Sequence, residues 1–288
     1  MFGPNTYFED KVKIEYSHRD KIFFDLFTET RELFSKKFNL DDYDVLFVPG
    51  SGTIGIESLF YSLKYRVDLV GVDGTFKNRW TEMEKGYVNK SKAKKLQMCV
   101  LYETSCSTHF YKEGCIIDAI SAFPYYDIPK DTKAFVTCLN KQLGSYVGLA
   151  VVCIRKDFWD NLIDSGKMSY LNLARYKEYH DMGQAPSTSP TYIYEHFYKH
   201  LQEFDLQEFR KRIDYVSDLI VDTVGEENII GDRRGPAITL KNGVIPEKFA
   251  REHDVYGYWA GRPNYQMFTY TDKPEQYEKF LKELKQVR

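Results

Sequence analysis

A series of short, apolar, β-branched runs set between helix-patterned stretches narrows the folding options more than any other feature. "AFVTCL" and "GLAVVCI", within residues 134–154, show no polar alternation, as strands covered on both faces would. "YDVLFVPGSGTIGIESLFYSL" reads as strand, glycine turn and helix, and "VDLVGVDGTFKNRWTEMEK" repeats that grammar. "KKLQMCVLYETSCS" and "GCIIDAIS" add further strands, and "KIFFDLFTETRELFSKKFN" has helical apolar spacing. Strands interleaved with helices predict an α/β domain with a mostly parallel central sheet flanked by helices. From "DFWDNL" onward the pattern turns helical. Short strand candidates, "AITL" and "YQMFTYT", precede the closing helix "PEQYEKFLKELKQV". A chain of 288 residues can bury a large domain plus a smaller lobe. The expected division is a large α/β domain over residues 20–200 and a small α+β domain over 201–288, with segment 1–19 packing near the active site.

Composition bounds the partners. A formal charge of −2 argues against a nucleic-acid backbone, which calls for a basic surface, while leaving room for a pocket that holds one phosphate. No apolar run reaches membrane-spanning length, and "MFGPNTYFEDK" lacks the character of a signal peptide. Five cysteines without a CxxC pair suit reduced thiols and a cytoplasmic protein better than disulfides or a metal site. The aromatic share, 16%, predicts aromatic-rich packing and a large interface.

Three stretches carry chemistry. "PGSGTIGIES" places glycines between a strand and a helix, where free backbone N–H groups and the hydroxyls of Ser51 and Thr53 would suit a phosphate. It is neither GxGxxG nor a P-loop, so an ordinary tight turn is the competing reading. Asp118 ends an apolar strand, where a carboxylate is either functional or caps the next turn, because burying it alone is costly. Phe76 follows a strand and is either core or a stacking platform. Lys141, in "NKQLGSYVG" between two apolar runs, is either solvated at a loop tip or held inward because its amine is a reagent.

In this order the pieces resemble the fold-type I, pyridoxal-phosphate-dependent class V aminotransferases, and among them the 2-aminoethylphosphonate–pyruvate, alanine–glyoxylate and serine–pyruvate transaminases. The matching stretches are "FGPN", "SHRD", "PGSGTIGIES", "DGTFKNR", "YETSCST", "DAISAF", "NKQLGSYVGLAVV" and "STSPTY". The resemblance implies pyridoxal 5'-phosphate as cofactor and Lys141 as the Schiff-base lysine, with Asp118 on the pyridine nitrogen. It implies Phe76 stacked on the ring, Ser51, Gly52 and Thr53 on the phosphate, and Thr104, Ser105, Ser121 and Asn140 around the cofactor. Thr188 would reach the phosphate from the partner subunit of a homodimer with a shared active site. His18 and Arg19 resemble an N-terminal "SHR" of several relatives, near the substrate.

Two departures stand out. The segments before "YETS" and between "ETS" and Asp118 are shorter than in relatives, which predicts a smaller sheet with apolar area for a dimer interface to cover. Relatives also end with an arginine that grips the substrate carboxylate through a two-pronged hydrogen bond, and here Gln266 falls at that place, with Arg262 four residues before it. The implied activity is transfer of an amino group between a small amine, phosphonate- or phosphate-bearing, and a 2-oxo acid. The alternative is a decarboxylase or lyase acting on an amino acid or its adduct with a sugar or nucleotide.

Overall fold

The structure, a computed structural model, describes residues 17–87, 90–164 and 166–288. Most of the N-terminal segment expected to pack near the site, residues 1–16, lies outside them. The first helix, α1 (Lys21–Lys37), buries Phe23, Phe27, Thr30 and Phe34 along one stripe and ends on Lys36 and Lys37, which complement the helix dipole. Then follow β1 (Tyr43–Pro49), α2 (Gly52–Ser62), β2 (Tyr65–Val70), α3 (Thr75–Lys85) and β3 (Ser91–Val100). A small hairpin, β4 (Tyr102–Glu103) with β5 (Thr108–His109), leads into β6 (Ile116–Asp118), β7 (Ala134–Cys138) and β8 (Leu149–Arg155).

The central sheet has six strands in the order β1-β8-β7-β6-β3-β2. β2, β3, β6 and β7 pair in parallel, whereas β8 runs antiparallel to both β7 and β1, so five strands point one way and β8 the other. Side chains sort to the two faces with a period of two. Leu149, Val151 and Cys153 of β8 join one core with α1, and Ala150, Val152 and Ile154 join another with α2 and Trp80 of α3. Both faces are covered, which is why these strands read as unbroken apolar runs. α2 lies directly on the sheet at Gly55, where a Cβ would meet Val136 Cγ1 at 2.7 Å. Five of the six strands are parallel, as the interleaved pattern predicts, and the turnaround at β8 explains why so short a loop can carry Lys141. An antiparallel neighbour needs no crossover.

Beyond the sheet come α4 (Leu173–Asp181), α5 (Thr191–Glu203) and α6 (Leu206–Val224). Asp205 caps α6, its carboxylate accepting from the Gln207 and Glu208 N–H groups. α5 packs its buried face on α1, with Phe23 edge-on to Tyr194 at 5.2 Å. A second, antiparallel sheet, β11-β10-β9, comprises β9 (Ile229–Ile230), β10 (Ala237–Leu240) and β11 (Tyr265–Phe268). It shares a core with α6, α7 (Glu247–Glu252) and α8 (Pro274–Val287). α6 links the two regions: Phe209 and Ile213 belong to the central core, while Val216, Ile220 and Val224 belong to this one.

Candidate active site

The parallel strands all end at one edge of the sheet, and ligands in open α/β sheets sit beyond the carboxyl ends of such strands. Ser51, Gly52 and Thr53 follow β1, Phe76 follows β2, Asp118 ends β6, and Asn140 and Lys141 follow β7. These residues, with Ser121, line one cavity of about 190 Å³. Arg79, Trp80, Val100, Tyr102, Ile120 and Cys138 complete its described wall.

Asp118 is 4% exposed and held at both oxygens. Its Oδ1 accepts from the Ile120 N–H at 2.9 Å and its Oδ2 from Trp80 Nε1 at 2.7 Å. Burial pushes its pKa up to about 6. The Ile120 and Trp80 hydrogen bonds and the charge of Lys141 pull the other way, and Glu103 adds to the rise. The Lys141 amine donates to Ser121 Oγ at 2.7 Å and lies 5.7 Å over the Phe76 ring. Its loop is held from behind. Gln142 donates to the Ser121 carbonyl at 2.7 Å and accepts from the Tyr125 N–H at 3.0 Å, and Gly144 takes the left-handed conformation the turn requires, φ +60°.

A glycine turn opens α2. Gly50 takes φ +131° and donates to the Gly148 carbonyl at 2.8 Å, so β1's turn leans on the loop that carries Lys141. A Cβ on Gly52 would meet Ile120 Cδ1 at 2.7 Å. α3 is tied down by Glu103, a carboxylate 1% exposed, which accepts from the Phe76 and Lys77 N–H groups at 2.9 and 3.1 Å. It also accepts from Ser105 Oγ at 2.6 Å. Four orphan donors open every helix, and Glu103 satisfies two of α3's while placing a charge at its positive end. Gly74 is needed there, because a Cβ would meet Glu103 Cγ at 2.2 Å.

The other sequence candidates lie off the cavity wall. The Ser105 hydroxyl serves Glu103 and accepts from the Thr75 N–H at 3.0 Å. Thr104 is buried, and its carbonyl accepts from Thr239 Oγ1 at 3.0 Å and Gln266 Nε2 at 2.5 Å. Gln266 therefore latches the small sheet to the "ETS" segment. Its other end accepts from Arg262 Nη1 at 3.0 Å, with the guanidinium 5.2 Å over Tyr256. Arg19 donates to Gln184 Oε1 at 2.6 Å, which joins the "SHRD" turn to the loop carrying the exposed Thr188. His18 is partly exposed beside it, its pKa lowered by partial burial and by Arg19.

Arg79, Trp80 and Glu103 escaped sequence reasoning. Trp80 lies one helical turn beyond Phe76, so the i, i+4 spacing in "DGTFKNRW" put both rings on one face.

The cavity thus lies at the carboxyl edge of a mostly parallel sheet, with a glycine turn, a buried carboxylate and a lysine amine on its wall. No protein-family model matches the chain and no curated protein matches it. Solved structures do. An aspartate aminotransferase of subgroup IV from Thermus thermophilus is similar with a TM-score of 0.78 at 18% identity, covering 98% of each chain. A phosphoserine aminotransferase from Cytophaga hutchinsonii gives 0.76 at 17%, over 94% of this chain and 90% of that one. An alanine–glyoxylate aminotransferase from Nostoc sp. gives 0.77 at 16%, over 96% and 89%. At these identities the likeness establishes the fold.

Proposed function

We propose that the chain is a pyridoxal-phosphate-dependent aminotransferase that moves an amino group between a small amine and a 2-oxo acid. One observation carries the reading: Lys141 and a buried Asp118 share a cavity with Ser51, Gly52 and Thr53 at the glycine turn that opens α2. The residues fit the cofactor. Ionised Asp118 is costly as it stands, and a protonated pyridine nitrogen is the partner that would offset the cost. Ser51, Thr53 and the start of α2 would take the phosphate, and Phe76 would flank the ring. When bound, the cofactor would supply an electron sink for the electrons of the substrate's Cα–H bond. Lys141 Nζ is the nucleophile and carries the proton, with Ser121 Oγ orienting it. Glu103 and Trp80 hold α3 and the Asp118 carboxylate in place.

The names of the three similar structures support transamination over carbon dioxide release. Incubation with an amine panel and pyruvate or glyoxylate, followed by product analysis, tests the choice. A new 2-oxo acid or aldehyde with stoichiometric alanine or glycine is expected. Released carbon dioxide without amino transfer would overturn it.

The same reading includes a homodimer. Val147, six residues beyond Lys141, is 59% exposed, as is Ile22, and such apolar area suits a two-fold interface. Thr188 and the Arg19–Gln184 contact would then serve the site across that interface. Residues 20–200 would form the cofactor domain and 201–288 the small domain. Five free cysteines support the cytoplasm as its compartment. No helix among the described residues is long and apolar enough to cross a membrane.

A further inference from the structure

Four arginines outside α3 are engaged elsewhere. Arg262 is spent on Gln266 and Tyr256, Arg19 on Gln184, Arg233 on Glu226 and Arg234 on Asp218. None of the four lines the cavity. Arg79 does. It sits on α3 between the two rings of the site, its guanidinium 5.3 Å over Phe76 and 6.0 Å over Trp80.

The other cations of α3 have carboxylate partners: Lys77 pairs with Asp73 at 2.7 Å and Lys85 with Glu82 at 2.6 Å. Among the described residues no carboxylate pairs with Arg79. Two cations, Arg79 and Lys141, stand on the described wall against one carboxylate, Asp118. Once the Lys141 amine is covalently engaged, Arg79 is the cation left on the described wall. A guanidinium held near aromatic faces by cation–π attraction can still donate its N–H groups, and their planar fork matches the oxygen pair of a carboxylate, phosphonate or phosphate.

We propose that Arg79 is the anion-binding arginine of this site, taking the oxyanion of either the cofactor phosphate or the substrate. The inference rests on the proposed cofactor reading. It explains how a site with glutamine at the expected arginine position can still hold an anionic ligand, and it makes α3 the element that both flanks the ring and grips the charge.

The test titrates cofactor-free wild type, Arg79→Ala and Arg79→Lys with pyridoxal phosphate and with pyridoxal, which lacks the phosphate, by absorbance. The loaded enzymes are then assayed with 2-aminoethylphosphonate, alanine and uncharged n-propylamine. If the anion is the cofactor's, Arg79→Ala weakens pyridoxal phosphate binding roughly ten- to hundredfold and leaves pyridoxal unchanged. If it is the substrate's, cofactor affinities hold and KM rises by that factor for the two anionic amines but not for propylamine. In either case Arg79→Lys, which keeps the charge and loses the fork, falls between the other two proteins. Equal losses for pyridoxal and its phosphate would mean that Arg79 only props Phe76, and unchanged values throughout would mean that it does nothing here. Both overturn the proposal while the cofactor reading stands. A wild type that binds neither vitamer overturns the cofactor reading itself, and the inference with it.

Discussion

Replacing Trp80 by Phe removes the N–H that donates to Asp118 Oδ2 at 2.7 Å and keeps an aromatic ring in the core. A hydrogen bond to a charged group contributes about 1.5–3 kcal/mol. At about 1.4 kcal/mol per pKa unit, its loss raises the Asp118 pKa by roughly one to two units. The starting point is about 6, so the variant's carboxyl would titrate near or above neutrality. The sign follows from which form Trp80 favours. It stabilises the carboxylate, so without it the proton stays on to higher pH. Cofactor binding that needs an ionised Asp118 should then weaken most at pH 6–7 and recover at more alkaline pH. Carbon-13 NMR of labelled aspartate in the cofactor-free protein reads the midpoint directly, and pyridoxal phosphate titrations at pH 6.5 and 8.5 read the consequence. An Asp118 midpoint that does not move in Trp80→Phe refutes the reasoning, whatever happens to turnover.

Three further outcomes are expected. Because burial raises Asp118 from 3.8 to about 6, the folded chain holds a proton there that the unfolded chain has lost, and cofactor-free stability should fall as pH rises through that window, by about 3 kcal/mol in all. Asp118→Asn should therefore melt higher than wild type at pH 7 and not at pH 4, and equal melting at pH 7 would count against the buried charge. Gly74→Ala should destabilise by about 1–3 kcal/mol through overpacking against Glu103, read in urea unfolding. Light scattering of the cofactor-loaded protein should give twice the chain's 33.9 kDa, and a monomer mass would remove the shared-site reading of Thr188.

The sheet was legible because burial on two faces writes itself into the chain as uninterrupted apolar runs. "AFVTCL" and "GLAVVCI" carry no polar alternation, and their strands are buried on both faces. The glycine turn, Asp118 and Lys141 were visible for a related reason: each is a polar or flexible residue where an apolar strand stops. Contacts between distant segments were not. Gln266 meets the Thr104 carbonyl 162 residues away, and nothing local in "NYQMF" distinguishes a latch from a ligand-binding side chain. Arg79 and Trp80 were hidden by their helix, where arginines are ordinarily solvated and tryptophans ordinarily core. Both line the cavity from α3, next to Phe76. Glu103 looked like one more charge beside "TS", although it closes the start of that helix.

The reading stands or falls on Lys141. Loading the chain with pyridoxal phosphate, reducing with borohydride and mapping the peptides by mass spectrometry asks whether that amine alone forms the covalent link. The expected result is a phosphopyridoxyl tag on Lys141 in wild type and none in Lys141→Ala, which should also lose turnover. A tag on another lysine, or none at all, would contradict the assignment.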